Sequence, residues 1–138
     1  MTQTEAKKLI EIATSAREKS YCPYSGFAVG AALLTDNDEV YTGANIESSS
    51  YTPTVCAERV AFFSAVHSGV KSFSAIAVVG GKAGTDIDSF TPPCGVCRQV
   101  MAEFCDGDFE IVLYNGTQIK VYKLSELLPE SFNKANLK

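Results

Sequence analysis

Three cysteines and one glutamate are the residues of this sequence best suited to chemistry. They stand in two short runs, Cys56-Ala57-Glu58-Arg59 and Pro93-Cys94-Gly95-Val96-Cys97-Arg98. Each run opens a stretch with helical spacing. Cys94 and Cys97, three apart, share a face in the first turn of a helix. Helix N-termini carry partial positive charge and lower thiol pKa, which favours the thiolate that binds metals. Bringing the two helix starts together gathers three thiolates, a common zinc ligand set. By itself the C-x-x-C pair also suits a redox dithiol or half of a structural zinc site.

The fourth zinc position separates these readings. A structural site takes a fourth protein ligand. His67, the single histidine, is about 16 Å from Cys56 along a continuous helix. Cys105 is about 12 Å past Cys97 on the same rule. Cys22 stays open as a fourth ligand, though nothing in the sequence pairs it with the other cysteines. The reading that follows is a fourth position open to water, the mark of catalytic zinc. Glu58, in the first turn beside Cys56, can take a proton from that water and return it to a substrate. Its plainer role is to favour the helix dipole, and the two roles are compatible. Zinc with three thiolates is formally anionic, which weakens it as a Lewis acid. Two helix N-termini, and Arg59 donating to a thiolate sulfur, would offset that charge. The alternative for Arg59 is a surface arginine.

The elements that must position these groups are legible from periodicity and turn residues. Thr2-Gln3-Thr4-Glu5 fits a capping box, and Leu9, Ile10, Ala13 and Ala16 recur at helical spacing to about Lys19. The turn residues of Tyr21–Gly26 follow. Phe27–Thr35 and Val40–Ile46 read as a hairpin around Asp36-Asn37-Asp38, and residues 47–53 as a polar loop. Cys56–His67 is a mostly buried helix carrying Ala57, Val60, Ala61, Phe63 and Ala65, stopped by Gly69. Ser74–Val79 is a wholly apolar strand, as in a sheet covered on both faces. Residues 80–93 form a loop and Gly95–Phe104 a helix ending near Asp106-Gly107. Phe109–Tyr114 and Gln118–Tyr122 pair across Asn115-Gly116, a strong hairpin signal. Ser125 opens a last short helix. The order α-β-β-α-β-α-β-β-α predicts an α/β fold of three layers, a mixed five-stranded sheet with helices on both faces.

Bulk properties narrow the partners. The chain has 138 residues and a net charge of −4. That size fits one domain, residues 1–138, able to bury a core without staples. A sequence-independent nucleic-acid binder needs a basic surface, so long DNA or RNA is not the expected ligand. No apolar run spans a bilayer and no apolar stretch follows a basic start, so the expectation is a cytoplasmic protein without a membrane partner. Five cysteines, an odd number, fit metal binding or catalysis better than a disulfide frame.

These motifs together resemble the cytidine deaminases. Cys56-Ala57-Glu58 with Pro93-Cys94-Gly95-Val96-Cys97 matches the three-cysteine form of the zinc deaminase signature. Tyr24–Leu33 resembles the family's opening strand, and Gly43-Ala44-Asn45-Ile46-Glu47 its nucleoside-binding loop. Cys97-Arg98-Gln99-Val100 and Glu126–Phe132 are similar to further family segments. The resemblance implies a cytidine deaminase-like fold and hydrolytic deamination of cytidine in pyrimidine salvage. It implies one zinc per subunit on Cys56, Cys94 and Cys97, with Glu58 as proton shuttle. It further implies that Asn45 and Glu47 bind the ribose, Phe27 packs on the base, and the Ala57 N–H binds the cytosine carbonyl. Phe132 would stack on the base in a neighbouring subunit, and Tyr51 would reach across a subunit boundary. The implied assembly is a homotetramer with shared active sites. Read without the resemblance, Asn45 and Glu47 are loop-capping groups, and Phe27 and Phe132 are core aromatics. Pro92, Val60 and Val96 depart from the residues common in the family at those places, and none is an expected ligand. A deaminase for an aminonucleoside antibiotic is the nearest rival reading; a non-enzymatic zinc module and a dithiol redox protein stand further off.

Overall fold

The computed structural model describes residues 1–137. The chain runs α1 (Gln3–Ala16), a 3-10 turn (Arg17–Lys19), β1 (Phe27–Thr35), β2 (Val40–Ala44), α2 (Ala57–His67), β3 (Phe73–Lys82) and α3 (Gly95–Phe104). It continues through β4 (Glu110–Tyr114), β5 (Ile119–Lys123), α4 (Leu124–Leu127) and a 3-10 turn (Lys134–Leu137). The capping box is formed: the Thr2 hydroxyl accepts from the Glu5 N–H, and the Glu5 carboxylate accepts from the Thr2 N–H. That satisfies two donors the first turn leaves without helical partners.

The five strands form one sheet in the order β2-β1-β3-β4-β5. Only β3 and β4 are parallel, and α3 makes the crossover between them. Side chains of a strand alternate between its two faces. On one face Ala75, Ala77 and Val79 meet Leu9, Ile10 and Ala13 of α1. On the other, Ile76, Val78, Ile111 and Leu113 meet Ala61, Phe62 and Ala65 of α2 and Met101 of α3. The sheet is therefore covered on both sides, which is why β3 carries an unbroken apolar run. This is the three-layer mixed fold expected from the element order.

Three expectations need correction. The aromatic that α2 buries is Phe62, fully inaccessible, whereas Phe63 is 49 % exposed. Phe62 sits among Phe73, Phe104 and Phe109, with ring centroids 5.0, 6.2 and 6.0 Å away. The β3 strand does not stop at Val79 but continues through Gly80, Gly81 and Lys82, opposite Val29, Ala28 and Phe27. A side chain at Gly80 would meet the Thr91 hydroxyl at 2.8 Å and the Phe27 ring at 3.1 Å, so glycine here serves close packing rather than a turn. Finally, Phe27 and Phe132 are not core residues: they are 42 % and 62 % exposed.

Candidate active site

Two helix starts bring their cysteines together. Cys56 is the N-cap residue of α2 and Cys94 that of α3, both with extended backbone. Their carbonyls accept from Val60 at 3.2 Å and Arg98 at 3.0 Å, fixing each helix entry. Neither thiol is used as a side-chain cap, so both sulfurs are available to a ligand. Cys97 lies one turn into α3 and is buried, while Cys94 is exposed and Cys56 half-buried. The three Sγ atoms lie within 4.8 Å of one another, and those of Cys56 and Cys94 are 3.7 Å apart. Sulfurs about 2.3 Å from a tetrahedral zinc stand about 3.8 Å apart, so the cluster fits that metal. It is the one such cluster among the described residues. His67, Cys22 and Cys105 lie outside it. Cys105 is a packing residue whose burial pushes its thiol up to about 12.

The electrostatics favour thiolate at this point. Cys56 falls to about 5, chiefly because Cys97 donates its S–H to it, with Arg59 and Cys94 as further donors and burial opposing. Cys97, holding the shared proton, is pushed up correspondingly, and its burial adds to that. Arg59 extends Nη2 to the Cys56 sulfur at 3.5 Å, and its buried Nε has no hydrogen-bond partner. A half-buried guanidinium that donates to a sulfur is favoured where negative charge gathers. Arg59 is half-buried rather than a fully exposed surface arginine, and one of its guanidinium nitrogens meets a cluster thiol.

Glu58 follows Cys56 in the first turn of α2 and is 3 % exposed. Burial raises its carboxyl to about 7, and the charge of Cys56 adds to the rise. A bond to its own backbone, one from Cys97, and the charge of Arg59 pull the other way. A carboxyl with this poise exchanges protons near neutral pH, as general acid–base work requires. Ala57, between Cys56 and Glu58, is fully buried at the first helical position. N–H groups of a first turn have no intrahelical acceptor and are free to meet a ligand.

Asn45 and Glu47 sit just past β2 and organise the segment around Ser20–Val29. The Asn45 Oδ1 accepts from the Val29 N–H at 2.8 Å and from the Ser20 hydroxyl, and its Nδ2 donates to the Phe27 carbonyl at 2.8 Å. Glu47 accepts from the N–H groups of Tyr24 (3.0 Å) and Ser25 (3.1 Å) and from the Ser25 hydroxyl. The Ser25 hydroxyl above all, with those two N–H groups, holds the Glu47 carboxyl below its usual range against an opposing burial effect. The capping role read from sequence is therefore real. Each side chain nonetheless keeps spare capacity: one amide proton on Asn45 and about one acceptor lobe on Glu47. A ligand hydroxyl can accept from the first and donate to the second. Tyr51, at φ 62, turns its ring edge-on to Tyr24 with centroids 6.2 Å apart, and both line an open cleft with Ser25, Glu47 and Thr54. The structure thus brings Cys56, Glu58, Arg59, Cys94 and Cys97 together directly. Asn45 holds the carbonyl of Phe27. Phe132 stands on the irregular C-terminal segment.

Ser20 and Ser25, which hold Asn45 and Glu47, were not legible in the sequence. An isolated serine in a turn carries no signal of what it bonds. A separate groove lined by Glu103, Cys105, Leu124, Pro129 and Lys134 lies at the opposite end of α3 from the thiols and holds no comparable chemistry.

Comparison with known proteins agrees with this geometry. Residues 3–113 match the model of the cytidine and deoxycytidylate deaminase zinc-binding region. A cytidine deaminase of Sporosarcina psychrophila is 48% identical over 134 residues, covering 96% of this chain and 95% of that one. The crystal structure of a cytidine deaminase from Burkholderia pseudomallei superimposes with a TM-score of 0.84 at 46% identity, over 96% of this chain and 100% of that one. A blasticidin-S deaminase of Bacillus cereus is 32% identical over 132 residues, 92% of this chain and 91% of that one.

Proposed function

The chain belongs to the cytidine and deoxycytidylate deaminase family, and from that premise we propose that it hydrolyses cytidine, and deoxycytidine, to the uracil nucleoside and ammonia. The observation that carries the reading is the union of three clustered sulfurs with a buried, proton-poised Glu58. Cys56, Cys94 and Cys97 would hold zinc, one ion per subunit. When bound, zinc lowers the pKa of a coordinated water and so makes a nucleophile available near neutral pH. Glu58 accepts the proton of the attacking water and delivers one to N3 of the cytosine ring, which makes C4 electrophilic. The water oxygen bonds to C4. Glu58 then takes the remaining proton from the new C4 hydroxyl and passes it to the exocyclic amine; the C4–N bond breaks, the C4=O bond forms, and ammonia leaves. One water enters and one ammonia departs, so the shuttle ends as it began.

The remaining residues position the nucleoside. The Ala57 N–H binds the cytosine carbonyl oxygen. Asn45 and Glu47 hold a ribose hydroxyl between donor and acceptor. Phe27 packs on the base, and Arg59 offsets the charge of three thiolates. We read residues 1–138 as one catalytic domain. The exposed Tyr24–Tyr51 ring pair and the exposed Phe132 support a homotetramer in which Phe132 and Tyr51 reach a neighbouring site, since exposed aromatic surface marks contact sites. Cysteines without disulfides are typical of a reducing compartment, which supports a cytoplasmic role in pyrimidine salvage. The blasticidin-S relative favours an aminonucleoside substrate on the same centre; Asn45 and Glu47, with capacity for an unmodified ribose, favour cytidine.

The test is Glu58→Gln. It should retain zinc and the circular dichroism of the parent while kcat falls by about 10²–10⁴-fold, the usual contribution of a positioned acid–base group. A zinc-loaded variant turning over at the parental rate would remove Glu58 from the reaction.

A further inference from the structure

We propose that Gln99 is a positioning residue that acts through Phe132, fixing the C-terminal segment that presents this ring to the base. The inference rests on the reading of Phe132 just given. Gln99 stands in α3, two residues after Cys97, and its Nε2 donates to the Phe132 carbonyl at 2.7 Å. The bond joins parts of the chain 33 residues apart. Arg98 works on the same segment from its near end. Its Nε donates to the Pro93 carbonyl at 2.8 Å and its Nη1 to the Leu127 carbonyl at 2.6 Å. Adjacent residues of one helix therefore tie the backbone ahead of Cys94, the end of α4 and the Phe132 backbone into one unit.

The segment needs such a tie. Residues 128–133 belong to no helix or strand, and Glu130 adopts a φ of 50°. Phe132 is 62 % exposed, so its ring gains little from packing within its own subunit. A ring on an irregular segment is held mainly by its backbone bonds, and a segment without them opens readily. Ordering it on each encounter with substrate would then be charged against binding. Gln99 touches no reacting atom in the proposed scheme. Its loss should weaken capture of the nucleoside and leave the proton steps of Glu58 in place.

The test is a double-mutant cycle on the zinc-loaded enzyme with cytidine. Gln99→Met keeps the length of the side chain and loses the donor. One hydrogen bond of ordinary net strength corresponds to roughly a three- to ten-fold rise in KM, with kcat held. In a Phe132→Ala background the same substitution should add nothing further, because both changes act on one contact. Amide exchange at residues 131–133 should quicken in Gln99→Met. Gln99→Glu, which keeps the shape and presents only acceptors when ionised, should behave alike. A parental KM in both Gln99 variants beside a raised KM in Phe132→Ala overturns the inference alone. An equal KM rise in both backgrounds also overturns it, since Gln99 would then act through general packing. A parental KM in Phe132→Ala overturns the reading of Phe132 and the inference with it.

Discussion

Replacing Gly43 with alanine should damage the active site from behind. Gly43 lies on β2, paired with Ala31, and α2 crosses directly over it. A Cβ added there would stand 2.2 Å from the Ala57 carbonyl oxygen and 2.7 Å from the Ala61 nitrogen. Both are backbone atoms of α2, so no rotamer change relieves the clash. Ordinary contact begins at 3.4 Å, so the helix start must retreat by about 1.2 Å. Ala57 lies between Cys56 and Glu58, so the retreat shifts both relative to Cys94 and Cys97, which stand on a different helix. Overpacking of this kind costs about 1–3 kcal/mol, or roughly 3–12 °C in Tm for a domain of this size. A misplacement of about 1 Å at reacting groups costs on the order of 100-fold in rate. Gly95 is the control: it sits between the ligand cysteines, yet a Cβ there meets nothing within 4 Å and its φ is not positive. Gly95→Ala should keep the parental Tm and zinc. The assay is thermal unfolding, metal content and kcat for cytidine on the two variants in parallel. A Gly43→Ala enzyme with parental Tm and kcat would refute the claim that this helix–strand contact sets the site.

Two further outcomes follow from the packing and charge of the site. Arg59→Gln should lower zinc affinity by about 10–100-fold, as is usual when a partner of a metal ligand is lost, read by competition with a chromogenic chelator; unchanged affinity would assign the arginine elsewhere. Phe62→Ala should cost about 3–5 kcal/mol in urea unfolding, because the ring is fully buried among three aromatics; a loss under about 1 kcal/mol would mean that the core collapses freely around the gap.

The sequence disclosed most where a local rule had one solution. The capping box at Thr2, the hairpin at Asn115-Gly116 and the apolar run of β3 each formed as their residues require. The metal cluster was legible because thiols at two helix starts have few other uses. Phe62 was missed for a physical reason: Val60-Ala61-Phe62-Phe63 is apolar in every direction, so helical spacing alone could not choose the buried ring. Gly80 and Gly81 read as loop because glycine marks turns more often than strands, and only the position of Thr91 explains Gly80. Asn45 and Glu47 show how a capping side chain can keep hydrogen-bonding capacity for a ligand. Sequence could separate the two roles only by spare hydrogen-bonding capacity, and that depends on Ser20, Ser25 and Val29 arriving from elsewhere.

The central claim is that this zinc centre and Glu58 deaminate a nucleoside held by its ribose. The most direct measurement follows the ultraviolet spectra of cytidine and of free cytosine, in parallel, with protein whose zinc content has been determined. The account predicts one zinc per subunit, conversion of the cytidine spectrum to that of uridine with ammonia released, and little change in cytosine, which lacks the ribose contacts. An unchanged cytidine spectrum in protein that holds zinc stoichiometrically would contradict it.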